Sequence, residues 1–127
     1  MSVVNIQGDK KNPTIQFDSE KGHLNIEGRS NLENPARYYR PVIDALEDYF
    51  HNPQPETHAR FAMEYFNSSS SKMIMKTFRL LEKLQIEGKS NVHVEWCYDE
   101  GDGSMLEAGE DYMSMLKMDF EMIELSD

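Results

Sequence analysis

Four consecutive serines are the residues of this chain whose type and position most clearly allow chemistry. They occupy positions 68–71, between a strand-like aromatic run and an amphipathic helix pattern. A hydroxyl at a helix start can accept a hydrogen bond from an orphan backbone N–H group. The same place tolerates a phosphate, because the first helical turn carries free N–H groups and partial positive charge. Two interpretations stay open: plain helix capping, which physics alone favours, and a phosphorylation site.

The other residue types that could carry chemistry form no recognisable motif. The histidines are scattered along the chain, at His23, His51, His58 and His93. No two of them have the spacing of metal ligands, and the acidic loop at 99–103 does not fit an EF-hand. Cys97 lies in a strand pattern without an obvious base. The sequence therefore predicts no metal, no cofactor and no catalytic centre.

Composition and charge restrict the compartment and the partners. The 127 residues include 39% hydrophobic and 28% charged side chains, which indicates one folded domain rather than a disordered chain. A net charge of −10 makes nucleic acid a poor partner. A single cysteine, no membrane-length apolar run and no signal-peptide pattern favour the cytoplasm and no membrane partner.

The acidic excess is concentrated at one end of the sequence. Residues 99–127 hold ten of the 23 acidic side chains and one of the 13 basic ones. We favour a solvated surface for this segment, and an acidic docking surface is the alternative.

Apolar periodicity predicts strands and helices in the order β-β-α-β-α-β-α-β. The predicted elements are a hairpin (14–17 and 23–27), a helix from Pro35, a central strand (58–66), a helix (70–87), a strand (91–98), helical turns (105–116) and a last strand (118–122). Asn34 is the expected N-cap of the first helix, which either kinks at Pro41 or begins there. We expect a single α/β domain over 1–127: a mixed sheet of four to five strands with helices packed against it. The polar segment 1–12 is expected to be loose.

The helix after the serine run has two different faces. Its apolar stripe is typical of core packing, while Lys72, Lys76, Arg79 and Lys83 recur on the opposite side. A solvated helix face is the favoured interpretation for each basic residue alone. A docking surface formed with the serine run is the alternative.

Three segments resemble known regulatory proteins. A serine-rich turn between a strand and a helix, in a chain of this size, resembles the STAS-type anti-sigma-factor antagonists. More closely, the chain resembles the SiaC family of bacterial regulatory phosphoproteins over about residues 8 to 125. The matching segments are EGRSNLEN at 27–34, YFNSSSSK at 65–72, and WCYDE at 96–100 followed by LEAGE at 106–110.

The resemblance implies a STAS-like fold and a partner-switching role without catalysis. Family members are substrates of a dedicated Ser/Thr kinase and a PP2C-like phosphatase, and the unphosphorylated form activates a diguanylate cyclase that controls biofilm formation. The family's acceptor follows the asparagine, which here makes Ser68 the phosphosite, with Ser69 and Ser70 as alternates. We predict a partner surface made of the serine run and the basic side of the helix: Asn67, Ser68, Ser69, Ser70, Ser71, Lys72, Lys76 and Arg79. The alternatives are an anti-sigma-factor antagonist acting on transcription, an unregulated adaptor subunit, and a small acidic enzyme whose site would combine the serine turn with the carboxylates of the acidic loop.

Overall fold

Six strands form one sheet in which the spatial order of the strands equals their order in sequence. In the computed structural model, which describes residues 3–126, the strands are β1 (Val3–Ile6), β2 (Thr14–Asp18), β3 (His23–Ser30), β4 (Glu56–Phe66), β5 (Asn91–Asp99) and β6 (Asp119–Leu125). The helices are α1 (Pro35–Tyr49), α2 (Ser68–Ile86) and α3 (Gly103–Met115). Strands β1 to β3 pair antiparallel, and β3 to β6 pair parallel. The predicted mixed α/β sheet is confirmed.

A tight turn closes the predicted hairpin between β2 and β3. The N–H of Gly22 donates to the carbonyl of Asp18 at 2.9 Å, and Gly22 has a φ of +68°. A Cβ at Gly22 would lie 2.7 Å from both Glu56 O and the Tyr49 hydroxyl oxygen. Glycine is required here both for its backbone conformation and for the close approach of β4 and α1.

The parallel half of the sheet places all three helices on one face. Each parallel connection contains one helix, and each advances the chain by one strand in the same direction. Such crossovers are right-handed, so successive ones stack on the same side of the sheet. The core between the two layers is aromatic: the rings of Phe61 and Phe78 are 4.4 Å apart, and both lie near Trp96. The other face of the sheet is open and polar.

The N-terminal segment departs from the prediction. Residues 3–6, expected to be loose, form β1, which makes six strands rather than four to five and adds one strand before the predicted order. Val4 and Ile6 are half-buried and pair with Phe17 and Ile15 of β2. Met1, Ser2 and Asp127, the ends of the predicted domain, lie outside the described residues.

The helix boundaries also differ in detail. Helix α1 begins at Pro35 and contains Pro41, so the helix does not start at the second proline. Asn34 precedes α1, but its side chain makes no capping hydrogen bond, contrary to expectation. Helix α2 begins at Ser68, two residues earlier than predicted. Among the described residues, no helix has the length and apolarity that crossing a membrane requires.

Candidate functional site

The serine run lies where the carboxyl ends of two central strands meet the start of α2. Strand β3 ends at Ser30 and β4 ends at Phe66. The backbone N–H of Asn67 donates to the carbonyl of Ser30 at 3.1 Å, which ties the start of α2 to the end of β3. Parallel strands bring their carboxyl ends to one edge, and helix N-termini gather there. The first-turn N–H groups of α2 therefore lie at this edge.

Asn67, rather than a serine, caps α2. Its backbone is extended, and its Oδ1 accepts from the N–H of Ser70 at 2.9 Å. Its Nδ2 donates to the carbonyl of Leu32 at 2.9 Å, which binds the cap to the chain before α1. The interpretation of the serine run as the helix cap is therefore wrong, because an asparagine already satisfies that role.

Ser69 and Ser70 anchor the helix start to other parts of the fold. The hydroxyl of Ser69 donates to the carbonyl of Leu32 at 2.9 Å. Ser70 is fully buried, and its hydroxyl accepts from that of Ser30 at 2.8 Å. Ser30 also lies 2.9 Å from the hydroxyl of Tyr39 in α1. A kinase could not reach Ser70 without opening this buried cluster.

Ser71 anchors α2 to α3. Its hydroxyl and that of Tyr112 lie 3.0 Å apart. Burial raises the pKa of Tyr112, although the hydrogen bond to Ser71 acts in the opposite direction. Burial likewise raises the pKa of Tyr39 to about 12. Both phenols therefore stay protonated at neutral pH and can act as donors.

Ser68 differs from the three serines that follow it. It occupies the first position of α2 and is exposed. Its hydroxyl makes no hydrogen bond within residues 3–126, while each neighbouring hydroxyl is bonded. The four serines thus divide into three anchors and one free hydroxyl.

The basic residues of α2 have unequal roles. Lys72 and Lys76 are exposed and form no ion pair with any described residue. The guanidinium of Arg79 donates to Glu82 at 2.8 Å. Burial of Glu82 opposes ionisation, but hydrogen bonds from the backbone N–H of Lys117 and from Arg79 outweigh it and lower the pKa of Glu82. Arg79 therefore holds a buried carboxylate, whereas the charges of Lys72 and Lys76 are not neutralised by an ion pair with any described residue.

The tryptophan segment positions α3 beside the start of α2. The indole Nε1 of Trp96 donates to the carbonyl of Met105 at 2.9 Å, and Asp102 caps α3 by accepting from the N–H of Met105. Gly109 lies against the indole ring, where a Cβ would overlap Cδ1 and lie 2.6 Å from Nε1. The WCYDE and LEAGE segments therefore pack against each other, and this packing positions Tyr112 of α3 next to Ser71.

Sequence reasoning missed the residues that hold the serine run in place. Ser30, Tyr39 and Tyr112 form hydrogen bonds in or around the serine run that sequence periodicity does not predict. Arg29 lies with its guanidinium 5.0 Å from the centroid of the Tyr65 ring, close to the same edge. Ser30 and Arg29 fall inside the EGRSNLEN segment, which was the one available indication of their importance.

The remaining candidate groups are the histidines, the carboxylates and Cys97. Within the described part of the chain, no three His, Cys, Asp or Glu side chains converge as metal ligands. Cys97 is buried, and burial raises the pKa of its thiol. A buried protonated thiol is a weak nucleophile.

The fold and the site define a class of protein: a small α/β domain that presents an exposed serine hydroxyl, unbonded among residues 3–126, at the first position of its long helix α2. The model of the SiaC family of regulatory phosphoproteins matches residues 6–125. The chain belongs to this family.

Proteins similar to this chain come from Pseudomonas aeruginosa. An uncharacterized protein of strain UCBPP-PA14 is 31% identical over 112 residues, which cover 88% of each chain. The structure of SiaC has a TM-score of 0.89 and 29% identity, and the match covers 98% of this chain and 100% of that one. A chain in the crystal structure of the diguanylate cyclase SiaD with its activator SiaC has a TM-score of 0.89 and 28% identity, over 96% of this chain and 99% of that one.

Proposed function

We propose that this protein is a non-catalytic partner switch controlled by reversible phosphorylation of Ser68. In the unphosphorylated state it binds and activates a diguanylate cyclase, and a cognate Ser/Thr kinase and a PP2C-like phosphatase set the balance in the cytoplasm. The observation that carries the proposal is the free hydroxyl of Ser68, next to three serines whose hydroxyls are bonded. The complex of SiaC with SiaD supports a cyclase as the effector.

A phosphate at Ser68 would change the surface while leaving the fold intact. It would add a charge of about −1.5 to −2 at neutral pH. The positive end of the α2 dipole favours an anion at this position. Lys72 lies one helical turn further on, in the acid-before-base arrangement that favours an i, i+4 pair. The helix therefore accepts the phosphate, and the main change is the charge and bulk that a partner meets.

Within the proposed docking surface, we distinguish residues that would contact a partner from residues that support them. Ser68, Lys72 and Lys76 are exposed and available for contact. Ser70 and Ser71 support the surface indirectly, because their hydrogen bonds fix the position of the helix start. The guanidinium of Arg79 is hydrogen-bonded to Glu82. A partner would thus contact a small area around the first turns of α2.

The unregulated adaptor remains a second candidate because two methionines of α3 are exposed. Met113 and Met115 retain 40% and 49% of their surface, and methionine side chains adapt readily to different partners. Met105, by contrast, belongs to the core. An adaptor would bind its partner irrespective of modification at Ser68.

The test is a cyclase assay with a diguanylate cyclase from the same genome. We expect the unphosphorylated chain to bind the cyclase and raise its rate of cyclic di-GMP synthesis, and the chain phosphorylated by its kinase to lose that effect. Equal stimulation by both forms would favour the adaptor. No binding and no stimulation by the unphosphorylated chain with any cyclase of that genome would contradict the cyclase proposal.

A further inference from the structure

A row of ionisable side chains crosses the open face of the sheet, at the end opposite Ser68. Five residues are register partners on five successive strands, from β2 to β6: Asp18, His23, His58, His93 and Asp119. The row lies near the starts of β4, β5 and β6, whereas the serine run lies at the carboxyl ends of β3 and β4. The two features are therefore separated by the length of the central strands.

His93 bridges two carboxylates that belong to different strands. Its Nε2 lies 2.7 Å from Oε1 of Glu56 at the start of β4. Its Nδ1 lies 2.9 Å from Oδ2 of Asp119 at the start of β6. A neutral imidazole has one N–H donor, and only the imidazolium has two. Both contacts are hydrogen bonds only when both ring nitrogens of His93 are protonated. In the neutral ring, one nitrogen directs a lone pair at a carboxylate.

Two further histidines, another carboxylate and an asparagine surround the contacts of His93. The ring of His58 stacks on it with centroids 5.0 Å apart, and His23 meets His58 edge-on at 5.7 Å. Glu95, two residues along β5, adds another carboxylate on the open face. Asn91 donates to Oε2 of Glu56 at 2.9 Å and so fixes the carboxylate that faces Nε2.

We propose that His93 is a pH-sensitive clamp that fastens the edge strand β6 to the sheet through Asp119 and to β4 through Glu56. Strand β6 has a single neighbour in the sheet, β5, so its attachment at Asp119 is not supported from the other side. The protonated ring links three strands. Deprotonation removes one of its two links and leaves two carboxylates on either side of a neutral ring.

The direction of the pH effect follows from the contacts. The hydrogen bonds that His93 donates to Asp119 and Glu56 raise the pKa of His93 above its usual 6.5, against a smaller opposing effect of burial. A raised pKa means that the stabilisation is complete below about pH 6.5 and is lost as the pH rises through the folded-state value. The pKa of Glu56 is lowered from its usual 4.5, chiefly by hydrogen bonds from Asn91 and His93, so its contribution fades only in acid. The clamp is therefore complete from about pH 4.5 to about pH 6.5 and weakens towards alkaline pH.

An NMR titration of the histidine rings of the full chain tests the clamp. We expect His93 to titrate above pH 6.5, and its midpoint to shift down in both Glu56→Gln and Asp119→Asn. Glu95→Gln is the matched control, because it removes a carboxylate from the same face without touching the ring, and it should shift the midpoint less. A midpoint for His93 at or below pH 6.5, or an unchanged midpoint in both variants, would overturn the proposal.

Urea unfolding at two pH values separates the clamp from a merely structural role of the side chain. His93→Gln keeps a polar side chain of moderate size but does not titrate. We expect the midpoint of the wild-type chain to exceed that of His93→Gln by more at pH 6 than at pH 9. A difference that is equal at both pH values, or larger at pH 9, would contradict a proton-dependent clamp.

Discussion

Ser68→Glu is expected to weaken binding to the effector at least tenfold, while Ser68→Ala leaves binding close to that of the unmodified chain. A tenfold change corresponds to about 1.4 kcal/mol. A fixed negative charge at the first position of α2 is exposed and lies one turn from Lys72, so it changes the charge of the surface that the effector contacts. We expect that change of charge to cost at least this much binding free energy. Calorimetric titration of each variant into the effector at fixed ionic strength measures the change.

Ser68→Gln separates charge from bulk, since glutamine has nearly the shape of glutamate without its charge. We expect Ser68→Gln to bind more tightly than Ser68→Glu. Neither variant should alter the free energy of unfolding, measured with urea, beyond the range of ordinary surface substitutions, about ±0.5 kcal/mol, because the hydroxyl of Ser68 has no partner among the described residues. If Ser68→Glu and Ser68→Ala bind the effector equally well, the phosphorylation switch is wrong.

Gly109→Ala is expected to destabilise the fold by about 1–3 kcal/mol, the usual cost of inserting a methyl group into a packed core. The added Cβ would overlap Trp96 and lie 2.9 Å from Sδ of Met122. The indole cannot easily move, because its Nε1 is hydrogen-bonded to Met105 and its ring belongs to the aromatic core. Urea unfolding monitored by tryptophan fluorescence measures the loss.

Gly103→Ala is the matched control in the same helix. A Cβ at Gly103 meets no atom within 4 Å, and alanine is a better helix former than glycine. We therefore expect Gly103→Ala to leave stability unchanged or to raise it slightly. Equal losses in the two variants would show that the close packing of α3 on Trp96 does not determine the effect.

Because Tyr112 extends from α3 to Ser71, Gly109→Ala should also weaken effector binding through the displaced α2 start.

The fold could be predicted where the local pattern is strong. The hairpin, the central strand and the long helix follow from apolar periodicity, and the structure confirms each of them within two or three residues. Strand β1 was missed because four residues, with loop sequence on one side, carry little periodicity. Its existence depends on pairing with Asp18, Phe17, Gln16 and Ile15, which are contacts that local sequence does not encode.

The candidate site could be located from the sequence, but the individual roles of its serine hydroxyls could not be predicted. A strand, a serine run and a helix in succession place hydroxyls at a helix start, as the structure confirms. Which hydroxyl is free depends on Leu32, Ser30 and Tyr112, which lie 37 to 41 residues away in sequence. The Asn67 cap was likewise hidden, because serine and asparagine are about equally suited to that position.

The central claim, that Ser68 is the regulatory phosphosite, is tested most directly on the protein isolated from its own host. Intact-mass analysis gives the fraction that carries a phosphoryl group, and peptide mapping assigns the residue. The account predicts a partly phosphorylated population with the phosphate on Ser68, in a proportion that changes when the kinase or the phosphatase is deleted. Phosphate confined to Ser69 or Ser70, or a chain that remains unmodified under every growth condition, would contradict it.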